Sequence, residues 1–171
     1  MVVLVSVVGG ACRLGFSEQC PAGETCDDPD GPTASRYAAA VLADEPLAYF
    51  RFDEAGGTLA WSAVGSVTGT YEGTFAFGAP GAVGDGNPSV TFDGVTTRIP
   101  VGDVFPFDGL APYALEMWVR PSSINDTRFL VDRRSASRAE GYTMYLGATY
   151  VLHARITPGT AFAYVNIGSP V

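Results

Sequence analysis

Short stretches rich in aromatic and β-branched residues recur about every ten residues along most of this chain, and no other sequence feature constrains its fold as strongly. Clusters of Gly, Pro and Asp separate them, as at 78–88 and 93–94. The one predicted helix is 35–42, an Ala-rich stretch that Ser35 would cap. Such a series of short strands predicts an all-β antiparallel sandwich or barrel. The predicted strands are 46–52, 67–71, 89–92, 97–101, 113–119, 128–133, 142–146, 150–156 and 161–167.

The charged residues exclude several classes of partner. Lys and Arg number 10 against 18 Asp and Glu, which gives a formal net charge of −8. This charge repels the phosphates of nucleic acids, so we expect no nucleic-acid partner. The single histidine, His153, gives no basis for a His-rich metal site, and no recognisable Ser or Cys nucleophile motif accompanies it. We therefore expect His153 to be an exposed residue of a strand.

The N-terminal residues 1–12 read M-V-V-L-V-S-V-V-G-G-A-C, an apolar run too short to span a bilayer, which takes about 20 residues. Such a run is typical of the apolar part of an export signal. The small residues that end at Cys12 resemble the bacterial lipoprotein signal, in which this Cys receives diacylglycerol after cleavage and becomes the new N-terminus. The alternatives are a plain signal peptide without lipid, and a buried strand with an ordinary thiol at Cys12.

Two further cysteines, Cys20 and Cys26, lie in 13–34, an acidic segment rich in Pro and Gly that we interpret as a Cys-containing linker. If Cys12 carries lipid, Cys20 and Cys26 remain to form a disulfide across a short loop. A metal site at these cysteines would need a fourth ligand, and none is near in sequence. The predicted organisation is a signal or lipoprotein-like segment at 1–12, the linker at 13–34 and a β-domain at 35–171.

Oxygen-bearing side chains in the predicted turns are the ligands that Ca²⁺ prefers, which makes a structural Ca²⁺ the one cofactor to consider. They form no contiguous ligand loop, so no ligand set is assigned, and turn aspartates often bind the backbone instead. Trp61 follows a Gly-rich turn outside the predicted strands, so it is the candidate for contact with a sugar. The candidate Ca²⁺ ligands are Asp53, Asp85, Asn87, Asp93, Asp103 and Asp108.

Five motifs occur in order along the chain. They are Y-A-A-A-V-L-A-D-E-P-L-A-Y-F-R-F-D-E (37–54), T-Y-E-G (70–73), G-A-P-G-A (78–82), T-F-D-G (91–94) and A-L-E-M-W-V-R-P (114–121). In this order and spacing they resemble bacterial laminin G-like domains of the concanavalin A-like lectin and glucanase superfamily. The resemblance covers 37–171 and implies a jelly-roll β-sandwich of two curved antiparallel sheets, with Trp118 and the aromatic residues of 49–52 buried. The family continues into a W-x-H-V-A-like strand and a second D-G hairpin, which this sequence lacks after Asp93, and this implies an incomplete sandwich.

The resemblance also bears on catalysis. The glucanase branch carries its catalytic carboxylates in an E-x-D-x-E-like pattern on one strand, whereas Glu116 stands alone here, followed at alternate positions by Trp118 and Arg120. Asp53 and Glu54 are adjacent, so they would point to opposite faces of a strand and could not act as an acid–base pair. We therefore expect that the chain is not an enzyme, and a glycoside hydrolase is the disfavoured interpretation.

The expected function follows from the same resemblance. It implies an exported, surface-tethered recognition or adhesion module that binds carbohydrate or an extracellular protein without turnover. The alternative is a structural spacer or accessory domain of a larger exported protein. We expect a bacterial outer-membrane or cell-surface lipoprotein, or a secreted protein, that contacts the membrane only through a lipid anchor at Cys12.

Overall fold

Short antiparallel strands dominate the computed structural model, which describes residues 2–6, 36–82, 86–107, 113–123, 126–135, 141–147, 152–157 and 163–167. The all-β prediction is confirmed, with one short helix among the described residues. In chain order the elements are β1 (Val2–Ser6), α1 (Arg36–Ala43), β2 (Ala48–Phe50), β3 (Leu59–Trp61), β4 (Thr68–Thr70), β5 (Phe75–Pro80), β6 (Pro88–Phe92), β7 (Ala114–Trp118), β8 (Arg128–Arg134), β9 (Gly141–Leu146), β10 (Leu152–Thr157) and β11 (Ala163–Ile167).

Every strand pairing in the described part of the chain is antiparallel. One sheet has three strands in the order β2-β1-β7, and another has four in the order β11-β10-β9-β8. The remaining strands form two hairpins, β3-β4 and β5-β6. The four-stranded sheet runs as a meander, because each of its strands pairs with its neighbour in sequence.

The predicted helix 35–42 is confirmed as α1, and most predicted strands match observed ones to within a few residues. The prediction for 97–101 is wrong, because this stretch forms only an isolated bridge between Glu72 and Arg98. Thr97 is held in a turn instead, where its backbone N–H donates to Asp93 Oδ1 at 2.9 Å. β3 and β5 escaped prediction, since β3 has only three residues and β5 contains Gly78 at a positive φ of 81° beside an irregular register.

The main core brings together β2, the hairpin β3-β4, the hairpin β5-β6 and the segment 99–105. Phe52 is at its centre, with its ring centroid 6.2 Å from that of Tyr71 and 6.2 Å from that of Phe92. Both contacts are edge-to-face, the arrangement that aromatic quadrupoles favour. The buried members of this core are Ala48, Phe50, Phe52, Ala60, Tyr71 and Val90.

A smaller cluster packs α1 against the three-stranded sheet. Ala38 and Val41 of the helix are buried against Tyr49 of β2. On β7, Glu116 Oε1 accepts a hydrogen bond from the Tyr37 hydroxyl of α1 at 2.8 Å. The helix therefore contacts both outer strands of the sheet, and β1 lies between those strands.

The segment 103–107 contacts the four-stranded sheet through polar and aromatic groups. Arg133 of β8 donates from Nε to the backbone oxygen of Val104 at 2.8 Å, and its guanidinium pairs with Asp103 at 2.7 Å. The ring of Phe107 lies 5.5 Å from that of Tyr142 on β9. Burial raises the pKa of Tyr142 to about 12.

Several predictions concern residues outside the described ranges. The lipidation of Cys12 and the disulfide between Cys20 and Cys26 are among them, so both stay predictions. Val2–Ser6 is described as a strand. In the ranges that the structure describes, no helix has the length and apolar composition needed to cross a membrane.

Candidate functional site

An exposed tryptophan stands out on the hairpin β3-β4. Leu59 and Trp61 are two residues apart on β3, so they lie on the same face, and they pair in register with Thr70 and Thr68 of β4. Trp61 is 57 % exposed and Leu59 is 40 % exposed. All four residues are exposed, and together they form what we call the Trp61 face. A large aromatic ring in this position is unusual, because a folded chain normally buries such apolar area.

The opposite face of the hairpin explains why the Trp61 face points outward. Its inner positions are Ala60 and Gly69, which pair with each other and are both buried. A Cβ atom at Gly69 would overlap Cγ2 of Ile99, so the backbone here can approach the core only without a side chain. These small residues let the hairpin lie directly on the core, while the larger side chains remain on the outside.

Glu54 fixes the position of this hairpin with both of its carboxylate oxygens. Oε1 accepts the backbone N–H of Trp61 at 2.9 Å, and Oε2 accepts the hydroxyl of Tyr71 at 2.7 Å. Burial and this hydrogen bond raise the pKa of Tyr71 well above its usual value of 10.0, so the phenol remains protonated and continues to donate. Glu54 thus joins the exposed Trp61 to the buried core.

The backbone before Glu54 is strained. Phe52 is buried and has a φ of 56°, in the left-handed region that a bulky side chain rarely adopts. This conformation ends the extended course of β2, after which Asp53 pairs with Arg51 at 3.1 Å and Glu54 reaches β3. Such strain persists only where surrounding packing holds it, and it is concentrated near functional sites.

The acidic residues that the sequence argued against as catalytic carboxylates have structural partners. Asp53 is in its ion pair with Arg51, and both Glu54 oxygens accept structural hydrogen bonds. Glu116 accepts a hydrogen bond from the Tyr37 hydroxyl, on the face of the three-stranded sheet that packs against α1 and not against the main core. The backbone of His153 pairs with Tyr145 and Asn166, and its side chain lies outside the described part of the chain.

The candidate Ca²⁺ ligands do not converge in the described ranges, where no three His, Cys, Asp or Glu side chains are grouped closely enough to hold a metal. Asp93 shows why. Its carboxylate accepts hydrogen bonds from the backbone N–H groups of Val95 and Thr96, each at 2.9 Å, and from the hydroxyls of Thr96 and Thr97. These bonds hold the pKa of Asp93 well below its usual range. Asp103 pairs with Arg133, Asn87 directly precedes β6, and Asp85 and Asp108 lie outside the described ranges.

A shallow cleft between 103 and β8 carries two arginines, and both are neutralised locally. Arg133 pairs with Asp103 at 2.7 Å, and Arg134 forms a fork with Asp132 that includes a contact of 2.5 Å. A fork of this kind occupies the donors that would otherwise hold an external anion. The cleft is therefore a weaker candidate for ligand binding than the Trp61 face.

Both tryptophans are exposed, although the sequence analysis expected Trp118 to be buried. The aromatic residues of 49–52 are buried as expected, but the expectation that Trp118 is buried is wrong, because it is 38 % exposed. Trp118 ends β7, an outer strand of its sheet among the described residues, and its ring meets Tyr37 edge-on at 6.3 Å. Sequence reasoning found Trp61 but missed Leu59, Thr68 and Thr70, whose exposure follows from pairing across a hairpin.

Comparison with known proteins identifies no relative of this chain. No family model matches the chain, and neither a curated protein nor a solved structure matches it. The Trp61 face and the contacts that support it are therefore the main indication of function in the described residues.

Proposed function

We propose that this chain is a non-catalytic recognition module that binds carbohydrate through the Trp61 face. The observation that carries the proposal is the 57 % exposure of Trp61 on the outer face of a hairpin that is fixed to the core. An indole ring offers a flat apolar surface with one N–H donor at its edge, and this combination suits ligands that are apolar on one side and polar at their rim. A sugar ring has this character, with C–H groups on its faces and hydroxyls around it.

The neighbours of Trp61 suit the same ligand. The hydroxyls of Thr68 and Thr70 lie on the same exposed face, and each can both donate and accept a hydrogen bond. Leu59 extends the apolar surface beside the indole. An extended surface of this kind favours a chain of sugars over a single small molecule, which would need an enclosed pocket.

The support beneath the face favours binding without a large ordering cost. Glu54 holds the backbone of Trp61, and Tyr71 holds Glu54 from within the core. A preorganised surface loses less conformational entropy on binding than a mobile one, and more of the contact energy then appears as affinity. The strained Phe52 conformation, which brings Glu54 to β3, is consistent with a site maintained for function.

The absence of turnover is part of the proposal. Glu54 accepts the backbone N–H of Trp61, Asp53 precedes it in the chain, and both carboxylates are engaged in structural contacts. A glycosidase needs two carboxyl groups that flank the same bond. The partners of Asp53 and Glu54 support a binding role over hydrolysis, as does the bond between Glu116 and Tyr37.

We infer further that the sheets belong to a laminin G-like jelly-roll sandwich, exported and tethered to a bacterial surface through Cys12. The exclusively antiparallel pairing of the described strands supports the sandwich, as do the ordered motifs in 37–121. The lipoprotein-like residues 1–12 and the net charge of −8 support the location.

Binding to a glycan array with the full chain tests the proposal, because the chain contains only two tryptophans. Trp61→Ala should weaken binding to any retained glycan by about tenfold or more, as expected for an aromatic residue central to an interface. Trp118→Ala is the matched control, since it removes the other exposed indole from a different sheet, and it should bind like the wild type. Equal binding by the wild type and Trp61→Ala would refute the proposed surface.

Fluorescence gives a second measurement on the same site. In Trp118→Phe, Trp61 is the one remaining tryptophan, so its emission reports directly on the Trp61 face. A bound polysaccharide should shift this emission to shorter wavelength and leave that of Trp61→Phe unchanged. A flat array, with no emission change on any polysaccharide, would favour the alternative of a structural spacer. Retention by an extracellular protein alone would favour a protein ligand.

A further inference from the structure

We propose that the Trp61 face takes an uncharged polysaccharide that lies across the strands, and that it discriminates against glycans with carboxylate, sulfate or ammonium groups. This inference rests on the proposed function, because it names the class of carbohydrate that the same surface would bind. Its basis is the charge around the Trp61 face, which occurs as one ion pair at each of two opposite edges.

The first ion pair lies beside β3. Phe50 of β2 forms a bridge with Ser62, the residue that follows β3. Arg51 is therefore opposite Trp61, and the two share the face that points away from the core position of Phe50. Arg51 Nη2 lies 3.1 Å from Asp53 Oδ2. The arginine next to the indole thus already has a carboxylate partner.

The second ion pair lies beyond β4. Thr70 and Glu72 are two residues apart with the buried Tyr71 between them, so they share the outer face. Glu72 is joined to Arg98 by two backbone hydrogen bonds, and Arg98 Nε also donates to Glu72 Oε2. The arginine at this edge is therefore paired as well.

An uncharged ligand suits this arrangement. The Trp61 face itself consists of uncharged side chains, and the two threonines can donate to and accept from sugar hydroxyls. A ligand carboxylate would have to displace Asp53 or Glu72 from its arginine, and a ligand ammonium would have to displace the arginine. The net charge of −8 adds a general repulsion of anionic glycans.

The spacing of the strands favours a chain of sugars. β3 pairs with β4, and the N–H of Thr70 on β4 donates to the backbone oxygen of Pro100 at 3.2 Å. β3 and the segment 98–100 are therefore two strand spacings apart, about 10 Å. A single sugar ring on the indole does not reach the second ion pair, whereas a chain of sugars that crosses the strands does. Glu72 is therefore the residue that tests where the bound chain lies.

Pairs of matched polysaccharides test this inference. Dextran, a soluble β-1,3-glucan, a xyloglucan and a galactomannan are immobilised, each in its uncharged form and as its carboxymethylated derivative. Binding of the full protein chain is measured by biolayer interferometry. The protein should bind the uncharged form of a retained polysaccharide about fivefold or more tightly than the carboxymethylated form, since the ligand carboxylates find no free arginine on this surface.

One substitution should reduce this preference. Glu72→Gln removes the charge that pairs with Arg98 and keeps the backbone bonds between the two residues. This variant should bind the carboxymethylated forms about threefold to fivefold more tightly than the wild type, as expected for one exposed ion pair. Addition of Trp61→Ala should remove the gain. The matched control is Asp126→Asn, which changes the net charge equally but releases Arg128 in the four-stranded sheet, and it should bind like the wild type.

The outcomes separate this inference from the proposed function. Equal or tighter binding of the carboxymethylated forms by the wild type, still dependent on Trp61, would overturn the preference and leave the proposed function in place. An equal gain in Asp126→Asn would mean that net charge and not Arg98 is responsible, which would also overturn it. A failure to bind any of these polysaccharides, charged or uncharged, would overturn the proposed function and this inference with it.

Discussion

Two tyrosine–glutamate pairs occupy different regions of the molecule and have almost the same local geometry. The Tyr71 hydroxyl donates to Glu54 at 2.7 Å beneath the Trp61 face, and the Tyr37 hydroxyl donates to Glu116 at 2.8 Å between α1 and β7. A tryptophan lies next to each pair: Trp61 through its backbone bond to Glu54, and Trp118 through its ring contact with Tyr37. In both tyrosines, burial and the hydrogen bond to the carboxylate raise the pKa.

The surroundings of the two pairs differ. Tyr71 is 3 % exposed and lies among the rings of Phe52, Phe75 and Phe77, whereas Tyr37 is only half-buried, at the edge of a small cluster. The first pair joins residues 17 positions apart, and the second joins residues 79 positions apart. The same chemistry therefore fixes a local hairpin in one region and holds distant elements together in the other.

The largest effect should come from Phe52→Ala, which removes the ring against which Tyr71 packs. We expect a loss of about 3–5 kcal/mol in the free energy of unfolding, measured by denaturant titration, because a buried phenylalanine is replaced by a cavity. Phe129→Ala is the matched control, since Phe129 is 52 % exposed and should cost about 1 kcal/mol or less. Equal losses in the two variants would contradict the central position of Phe52.

Tyr71→Phe should have the next largest effect. It keeps the ring but removes the hydroxyl that donates to Glu54, which leaves a carboxylate oxygen without that donor. A cost of about 1–3 kcal/mol is expected in unfolding experiments, as for other lost hydrogen bonds to a charged group. Trp61 emission should also change, because Glu54 would no longer be held from within the core. Unchanged emission in the Trp118→Phe background would contradict this link.

Tyr37→Phe should cost less, about 0.5–1.5 kcal/mol, because the Tyr37 hydroxyl is nearer to solvent and water can replace it as a donor to Glu116. Here the emission of Trp118 should change and that of Trp61 should not, since the Tyr37 ring contacts Trp118. The measurement uses Trp61→Phe and Trp118→Phe as single-tryptophan backgrounds. A cost equal to that of Tyr71→Phe would remove the distinction between the two regions.

The sequence predicted the parts of this comparison that depend on local pattern. Strand-rich stretches between turn residues predicted most of the strands, an Ala-rich stretch predicted α1, and the Gly-rich turn before Trp61 marked this residue as the candidate for contact with a sugar. The hydrogen bond between Tyr37 and Glu116 could not be predicted from the sequence, because it spans 79 positions and depends on how a helix packs on a sheet. The role of Glu54 was missed for a different reason. Its reach to Trp61 and Tyr71 follows from the positive φ of Phe52, which no propensity for this residue type would predict.

The incorrect predictions have the same origin. Thr97 belongs to a strand-like stretch, but the carboxylate of Asp93 gives its N–H a closer partner than a neighbouring strand would. Trp118 lies in a strongly apolar strand, yet its exposure depends on whether another strand covers the end of β7. Local pattern determines what a segment can form, and competing partners elsewhere decide what it does form.

The last predicted effect is a dependence of stability on pH, which is absent near neutral pH and appears only in alkali. The pKa of both Tyr71 and Tyr37 lies above the ordinary value of 10.0 in the folded chain. Between pH 10 and the folded pKa, the folded state keeps a proton that the unfolded state has lost, so the free energy of unfolding falls as pH rises. Below pH 10 both states are protonated, and this contribution is fully present.

Each tyrosine-to-phenylalanine variant should therefore lose stability less steeply with pH than the wild type above pH 10, as followed by thermal melts at several alkaline pH values. The slope should decrease in Tyr71→Phe and in Tyr37→Phe, and the remaining slope includes Tyr142, whose pKa burial raises to about 12. Both phenols keep their proton in the folded chain just above pH 10, so each substitution should remove a similar part of the slope. A wild-type slope in Tyr71→Phe would mean that this phenol ionises as readily in the folded chain as in the unfolded one. The claim that burial and the bond to Glu54 raise the pKa of Tyr71 would then be contradicted.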